Sequence, residues 1–144
     1  RRYLGRISRP LLDRIDICVE VPKLEFEQIV SERKEETSES IRKRVEQARI
    51  IQHKRYGNST CYNSRLQVSD IKKYCSLDAE CTRLVEKVYE NMGLTARSYH
   101  KLLKVARTIA DLDGGGPIKK THLSEALLYK GCLQGEMRGD GFGR

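Results

Sequence analysis

The sequence predicts a mainly α-helical fold, and three observations support that prediction. Apolar residues recur at helical spacing through most of the chain after residue 38. Glycines follow three of these periodic segments, at Gly57, Gly93 and Gly114, where a left-handed residue commonly ends a helix. Only one short segment, near the N-terminus, shows the strict alternation that a β-strand requires. Helices should therefore dominate the fold.

The periodic segments predict helices at about 39–56, 68–74, 78–92, 95–111 and 121–130. The segment at 95–111 gives the clearest pattern, because its apolar residues fall on one face and most of its basic residues on another. The apolar face consists of Tyr99, Leu102, Leu103, Ala106 and Ile109, and the other side carries Arg97, Lys101, Lys104 and Thr108.

The strand-like alternation covers residues 15–21 and ends at Pro22. No second segment offers a comparable pattern, so this strand has no partner within the sequence to receive its backbone hydrogen bonds. We expect those partners in a missing N-terminal part of a longer protein. That expectation agrees with the first residue, Arg1, and with the downstream position of both methionines, Met92 and Met137.

The composition favours a soluble, cytoplasmic domain with a basic surface. The chain has 144 residues, a charged fraction of 33% and a formal net charge of +8. No apolar run approaches the roughly 18 residues that span a membrane, and no signal peptide is visible. A chain of this length can bury roughly 68–70% of the surface that its unfolded form exposes. One domain with a substantial core is therefore expected.

The cysteines and histidines do not predict a metal site. The five cysteines form no CxxC pair and no spaced Cys/His set, and their number is odd. We interpret them as the reduced thiols of a cytosolic protein. His100 and His122 have no cluster of carboxylates or thiols at ligand spacing. The five cysteines are Cys18, Cys61, Cys75, Cys81 and Cys132.

The last ten residues, 135–144, are predicted to form a flexible tail because four of them are glycine and almost none is apolar. The pattern at 139–143 superficially suggests a phosphate loop, but such a loop needs a preceding strand and a following helix. No GxxxxGK[ST] sequence is present, so the chain has no Walker A loop to hold the phosphates of ATP. The chain alone should not hydrolyse ATP.

Two segments resemble the signatures of the magnesium-chelatase-related AAA+ ATPases, in particular of their ComM-like members. The first is 3–16 (YLGRISRPLLDRID), and the second is 94–112 (LTARSYHKLLKVARTIADL). Together with 41–49 (IRKRVEQAR), the similarity extends over most of residues 3–130. Arg9 departs from the pattern, because ComM-like sequences usually have glycine at that position.

The resemblance implies that the helices form the C-terminal lid of an AAA+ ATPase. The strand at 15–21 is then the last strand of the missing α/β core. The implied organisation is the end of that core at 1–22, a helical lid at 23–134 and the flexible glycine-rich tail at 135–144.

Arg14 matches the arginine finger of this family, which contacts ATP bound by the neighbouring subunit. Arginine suits that role because its planar, permanently charged guanidinium can donate several hydrogen bonds to the γ-phosphate oxygens during transfer. Such fingers raise the rate of hydrolysis by roughly 10³–10⁵. From the residues alone, the alternative is that Arg14 pairs with a flanking carboxylate, Asp13 or Asp16.

Arg97 matches the sensor-2 arginine of the family. If Thr95 caps the helix, Arg97 lies in its first turn, where the helix dipole disfavours a cation by about 0.3–1 kcal/mol. A bound phosphate would offset that cost, since helix N-termini and arginine both attract phosphate. The alternative is a solvated basic side chain beside Lys101 and Lys104.

The predicted helix at 39–56 is rich in basic residues, and Lys43 and Lys54 are its candidates for binding nucleic-acid phosphates. Its basic residues flank the apolar stripe on both sides, as in an ordinary solvated helix, which is the alternative. No alternation of basic and aromatic residues predicts a stacking platform for bases. Nucleic-acid binding should therefore be weak, independent of sequence and sensitive to salt.

Three functions are consistent with these features. The first is a DNA-acting motor or helicase of the ComM type. In it, copies of a longer chain form a ring that binds ATP and magnesium, and this chain contributes Arg14 and Arg97. The second is the ATPase subunit of a magnesium chelatase, which inserts magnesium into a porphyrin. The third is a free-standing helical DNA-binding module, which the unpartnered strand and the absence of an initial methionine disfavour.

Overall fold

The computed structural model describes residues 8–23, 25–26, 30, 36–58 and 60–135. The five helices predicted from the sequence are confirmed, with boundaries that agree to within one residue at every end but the last. The helices are α1 (Arg9–Leu12), α2 (Ser38–Tyr56), α3 (Val68–Tyr74), α4 (Ala79–Met92), α5 (Ala96–Leu112) and α6 (Lys120–Gly135), with a 3₁₀ turn at Asn63–Arg65.

The helices begin and end where side chains and glycines complete their terminal hydrogen bonds. At the start of α2, the Thr37 hydroxyl accepts a hydrogen bond from the Ser40 amide at 3.2 Å. At the start of α4, the Asp78 carboxylate accepts one from the Cys81 amide at 2.7 Å. Gly57 ends α2 in the left-handed region (φ +63°), where a side chain would be strained. These local features explain why the sequence predicts the helices correctly.

Helix α5 lies at the centre of the core. It packs against α6, α2, α3 and the 3₁₀ turn, and α4 packs in turn against α6. Ala106 and Ala110 of α5 and Leu123 of α6 are completely removed from solvent. Burial of this apolar surface is the main stabilising contribution to the fold. The other buried core residues include Leu66, Ile71, Cys75, Cys81, Val85, Leu94, Leu102, Leu103, Ile118 and Ala126.

A buried carboxylate joins α2 to α5. The side chain of Asp111 is fully removed from solvent. Its Oδ2 accepts hydrogen bonds from Arg55 Nη1 at 2.9 Å and Asn63 Nδ2 at 2.8 Å. Its Oδ1 accepts from Arg55 Nη2 and, at 3.2 Å, from Arg107 Nε. The hydrogen bond to Asp111 raises the pKa of Arg55, whereas burial lowers the pKa of Arg107. This carboxylate is therefore paired and hydrogen-bonded, as a buried charge must be.

The strand predicted at 15–21 is not formed. Residues 15–23 are irregular, and none of the described residues belongs to a strand. The physical reason is that a strand is defined by its hydrogen-bonded neighbour, and this segment has none among the described residues. Three of its apolar side chains remain exposed, Ile17 at 50%, Val19 at 61% and Val21 at 83%. The segment instead bonds to α6, where the Cys18 amide donates to the Tyr129 carbonyl at 3.1 Å.

Helix α6 is longer than the 121–130 predicted from the sequence, because it continues to Gly135. Glycine costs about 1 kcal/mol in a helix relative to alanine, so Gly131 and Gly135 weaken the sequence signal. The packing of α6 on α5 offsets that cost. Gly135, the first residue of the tail predicted at 135–144, is therefore helical, and residues 136–144 lie outside the described residues. The division at residues 22 and 134 stays a prediction. In the described part of the chain, no helix is both long and apolar enough to span a bilayer.

Candidate functional site

Arg14 lies in a turn directly after α1. Its amide donates a hydrogen bond to the Leu11 carbonyl at 3.0 Å, and its side chain is exposed. The guanidinium makes no hydrogen bond or ion pair with any described residue. The two flanking carboxylates bind other groups, since Asp13 accepts from Ser98 and Asp16 pairs with Lys101. In the described part of the chain, Arg14 therefore does not pair with Asp13 or Asp16.

Arg97 lies in the first turn of α5, as predicted. The Thr95 hydroxyl caps this helix by accepting a hydrogen bond from the Ser98 amide at 3.1 Å. The first turn contains no acidic residue, and the Arg97 side chain is exposed. Within the described ranges its guanidinium has no hydrogen-bonding or ionic partner. A cation at a helix N-terminus without a carboxylate partner suits a site for an anionic ligand.

The segments that carry the two arginines are in direct contact. The Ser98 hydroxyl, next to Arg97, donates a hydrogen bond to the Asp13 carboxylate, next to Arg14, at 2.9 Å. These two partners are 85 residues apart in sequence. The structure thus brings together the two regions that the sequence treats separately.

Two lysines add to this contact. The Lys101 ammonium donates to the Arg14 backbone carbonyl and pairs with Asp16 Oδ1 at 2.8 Å. The Lys130 ammonium, from α6, donates to the Ile15 carbonyl at 3.5 Å. Lys130 is buried, and the loss of hydration lowers its pKa. We call this arrangement, residues 13–18 with Ser98, Lys101 and Lys130, the clasp.

The sequence did not reveal the clasp. Lys101 was identified only as a basic residue on the side of the helix away from its apolar face, and Lys130 was not singled out. The missing signal is long-range, because Lys101 contacts a residue 87 positions earlier and Lys130 one 115 positions earlier. A lysine in the middle of a helix looks the same in sequence whether it meets water or a distant carbonyl.

The two lysines proposed for nucleic-acid binding lie on one side of α2. They are eleven residues apart, and eleven residues of α-helix bring a side chain back to within about 20° of its starting direction. Lys43 pairs with Glu39 at 2.8 Å, and both side chains are largely exposed. Lys54 is exposed and has no ionic partner in the part of the chain that the structure describes. Both lysines are therefore accessible.

Lys54 belongs to another part of the molecule than Arg97. Arg55, next to Lys54, binds Asp111 near the end of α5. Asp111 is fourteen residues after Arg97, which corresponds to about 21 Å along the helix axis. Lys54 and Arg97 therefore lie on different surfaces of the molecule.

Two of the three histidines, His53 and His122, have local structural contacts. At the start of α6, His122 Nδ1 accepts a hydrogen bond from the Lys119 amide at 3.1 Å, and Nε2 lies 3.1 Å from Asp113 Oδ2. His53 packs against the Tyr62 ring, with centroids 5.7 Å apart. Over the described residues, no group of three or more His, Cys, Asp or Glu side chains is arranged to hold a metal ion.

Comparisons with known proteins identify the family. The profile described as magnesium chelatase, subunit ChlI C-terminal, matches residues 35–130, and that described as magnesium chelatase, subunit ChlI, matches residues 1–29. The competence protein ComM of Haemophilus influenzae is 40% identical over 92% of this chain and 26% of its own length. Proteins named YifB are 41% identical in Salmonella typhimurium and 39% in Escherichia coli, each over 90% of this chain and 25% of their own length.

The chain spans about a quarter of the length of these relatives. The first profile covers the helical part from α2 into α6, which agrees with the helical fold. The resemblance inferred from residues 3–16 and 94–112 is thus confirmed. The chain belongs to the magnesium chelatase ChlI family, and the competence protein ComM is one of its relatives.

Proposed function

We propose that this chain is the lid part of a cytoplasmic AAA+ ATPase whose copies form a ring, and that Arg14 and Arg97 contact ATP at the junction with a neighbouring subunit. One observation carries the proposal. Both arginines are exposed and lack partners among the described residues, and the segments that carry them are joined by the Asp13–Ser98 hydrogen bond. An arrangement of two free guanidinium groups suits a triphosphate.

The proposed chemistry assigns the two arginines different tasks. ATP is the substrate, and the magnesium ion that accompanies it neutralises charge on the β- and γ-phosphates. Arg14 acts as the finger and stabilises the charge that develops on the γ-phosphate during transfer, which contributes roughly 10³–10⁵ in rate. Arg97 binds phosphate together with the amides at the N-terminus of α5. The loop that holds the phosphates must come from the rest of the longer protein, because the chain has no GxxxxGK[ST] sequence.

Steady-state ATPase kinetics of the full-length protein test the proposal. Arg14→Ala should lower kcat by about 10³ or more and change the KM for ATP little, because a finger acts mainly in the transition state. Arg97→Ala should lower kcat/KM by about 10², which is the usual effect of removing one hydrogen-bond donor to a reacting oxygen. Arg83→Ala, an exposed arginine on α4, is the matched control and should be silent. Wild-type turnover in both variants would exclude the assigned roles.

We propose that DNA is the substrate on which the motor acts. The support is the accessible pair Lys43 and Lys54 on one side of α2 and the formal charge of +8. The Arg49 guanidinium of α2 also lies over the ring of Tyr62, in the segment after this helix, 6.0 Å from the ring centroid, which places a basic and an aromatic group side by side. The chelatase alternative follows from the family name alone, and fold similarity does not specify the driven reaction.

A salt titration of oligonucleotide binding tests the DNA proposal. Each phosphate contact contributes about −0.9 to the slope of log K against log salt on duplex DNA. Replacing Lys43 and Lys54 with alanine should weaken binding to all sequences and reduce the slope by up to about two units. Replacing Lys87 and Lys120, exposed on α4 and α6, removes the same charge elsewhere. Equal losses in both double variants would show that only net charge matters and that α2 is not the contact surface.

A further inference from the structure

The segment that carries Arg14 has no regular structure of its own. Residues 13 and 14 form a turn and residues 15–23 are irregular, so no helix or strand ladder fixes the backbone here. Regular structure would normally satisfy the backbone carbonyls of such a segment. In this molecule lysine ammonium groups bind two consecutive carbonyls, those of Arg14 and Ile15.

Neither lysine behaves as a surface residue. The Lys101 side chain is only 15% exposed, and Lys130 is 6% exposed. Moving an ammonium group out of water is costly unless it gains strong partners. Each of them donates to a backbone carbonyl of the segment, and Lys101 also pairs with Asp16. Their contacts therefore go to the backbone of Arg14 itself and to the two residues that follow it.

The clasp attaches the segment to two helices at once. Ser98 and Lys101 belong to α5, whereas Lys130 and the Tyr129 carbonyl belong to α6. Helices α5 and α6 pack against each other through the core. The backbone that positions Arg14 is thus held by the same helix that carries Arg97.

We propose that Lys101 and Lys130 are positioning residues for Arg14, so that the arginine finger moves with the helical lid and Arg97 as one body. The inference rests on the proposed role of Arg14. Neither lysine touches ATP. Both act through their contacts with residues 14–16, and a displacement of about 1 Å in a reacting group can cost roughly 10² in rate.

The first test is the kinetics of lysine variants of the full-length ATPase. Lys101→Met and Lys130→Met should each lower kcat about 10- to 100-fold and leave the KM for ATP unchanged, because binding is intact and only the finger is displaced. Lys101→Arg keeps a cationic donor and should restore most of the rate. The matched control is Lys104→Met, since Lys104 lies one turn further along α5 and donates to the Ser64 carbonyl, which is not part of the clasp. Lys104→Met should keep normal turnover.

A double-mutant cycle separates positioning from general stability. In the Arg14→Ala background, Lys101→Met should have no further effect on kcat, because the group that it positions is gone. A lysine that only stabilises the fold would reduce the rate again by the same factor. Full additivity of the two substitutions would therefore overturn the inference.

Hydrogen exchange of the 144-residue chain gives a readout that does not depend on ATPase activity. The Cys18 amide, which donates to the Tyr129 carbonyl, should exchange at least about tenfold faster in Lys101→Met than in Lys104→Met. Unchanged exchange would show that Lys101 does not hold the segment. If the Cys18 amide exchanges faster in Lys101→Met but this variant has normal turnover, and Arg14→Ala is inactive, the positioning role of Lys101 is overturned and the proposed role of Arg14 is not. Normal turnover in Arg14→Ala would overturn the proposed function itself.

Discussion

The helical part at 36–135 and the segment at 8–23 differ in how far their charged and apolar side chains are buried. In the helical part, Asp111 is fully buried and has three side chains as partners, and Leu123 has no contact with solvent. In the preceding segment, apolar residues such as Val19 and Val21 are mostly exposed. A groove of about 590 Å³ also lies between residues 16–19 and helices α5 and α6. Both regions contain charged and apolar residues, but only the helical part buries them.

The difference indicates where stability and proposed function are located. The helical part contains its own core and its own buried ion pairs, so its stability should depend on residues within it. The segment at 8–23 carries Arg14 and contributes little apolar burial, so a few polar bonds in the clasp hold it. Substitutions in the two regions should therefore have effects of very different size on the free energy of unfolding.

Removing the buried carboxylate should give the largest loss of stability. Asp111→Ala leaves the guanidinium groups of Arg55 and Arg107 buried without their partner, which costs about 3–5 kcal/mol. The control is Glu80→Ala, which breaks an exposed pair with Lys120 and should cost less than about 1 kcal/mol. Urea unfolding monitored by circular dichroism measures both. Equal midpoints for the two variants would contradict the contrast between buried and exposed pairs.

Thiol reactivity should divide the described cysteines by burial. Burial raises the pKa of Cys75 and of Cys81 to about 11, compared with 9.0 for an unperturbed cysteine, so each has about 100-fold less thiolate near pH 8. Because the thiolate is the reactive form, their alkylation should be slow and should accelerate as the pH rises towards 11. Cys18, in the exposed segment, and Cys61 are partly accessible and should react first. Iodoacetamide labelling followed by peptide mass spectrometry measures each site. Rapid labelling of Cys75 in the folded chain would contradict its burial.

A matched pair of valines gives the next smaller effect. Val85 on α4 is 3% exposed and Val21 is 83% exposed. Val85→Ala should cost about 2 kcal/mol, from lost apolar burial and the cavity left behind. Val21→Ala should change the free energy of unfolding by less than about 0.5 kcal/mol. The same substitution is made twice, so the difference isolates burial. A large loss for Val21→Ala would show that the segment contributes to the core of the isolated chain.

Local patterns predict the helices because the information is local. Periodicity, the caps at Thr95 and Asp78 and the glycine at Gly57 all act within a few residues. The strand at 15–21 was predicted wrongly because the information that it needs is not local. Its alternation indicates only a propensity for a strand, and the strand forms only beside a neighbouring strand.

The candidate site was only partly predictable. Arg14 and Arg97 were identified through family resemblance, and the cap at Thr95 was predicted from residue type. The Asp111 cluster left one local signal, the spacing of four residues between Arg107 and Asp111 on one helix. The clasp and the Arg55–Asp111 pair left none, because their partners are brought together only by tertiary packing. Buried charges cannot be distinguished from solvated ones by spacing alone.

Mixed rings test the central claim, that Arg14 and Arg97 act together on ATP held by a neighbouring subunit. Full-length subunits with both Arg14→Ala and Arg97→Ala are mixed with subunits whose phosphate-binding loop is disabled, and ATP hydrolysis is measured. Each kind alone should be inactive. In the mixture, about a quarter of the junctions in a head-to-tail ring pair an intact loop with intact arginines, so activity should return to about that fraction. A mixture that stays inactive, while the same experiment with Arg14→Ala alone recovers activity, would show that Arg97 serves its own subunit and would contradict the claim.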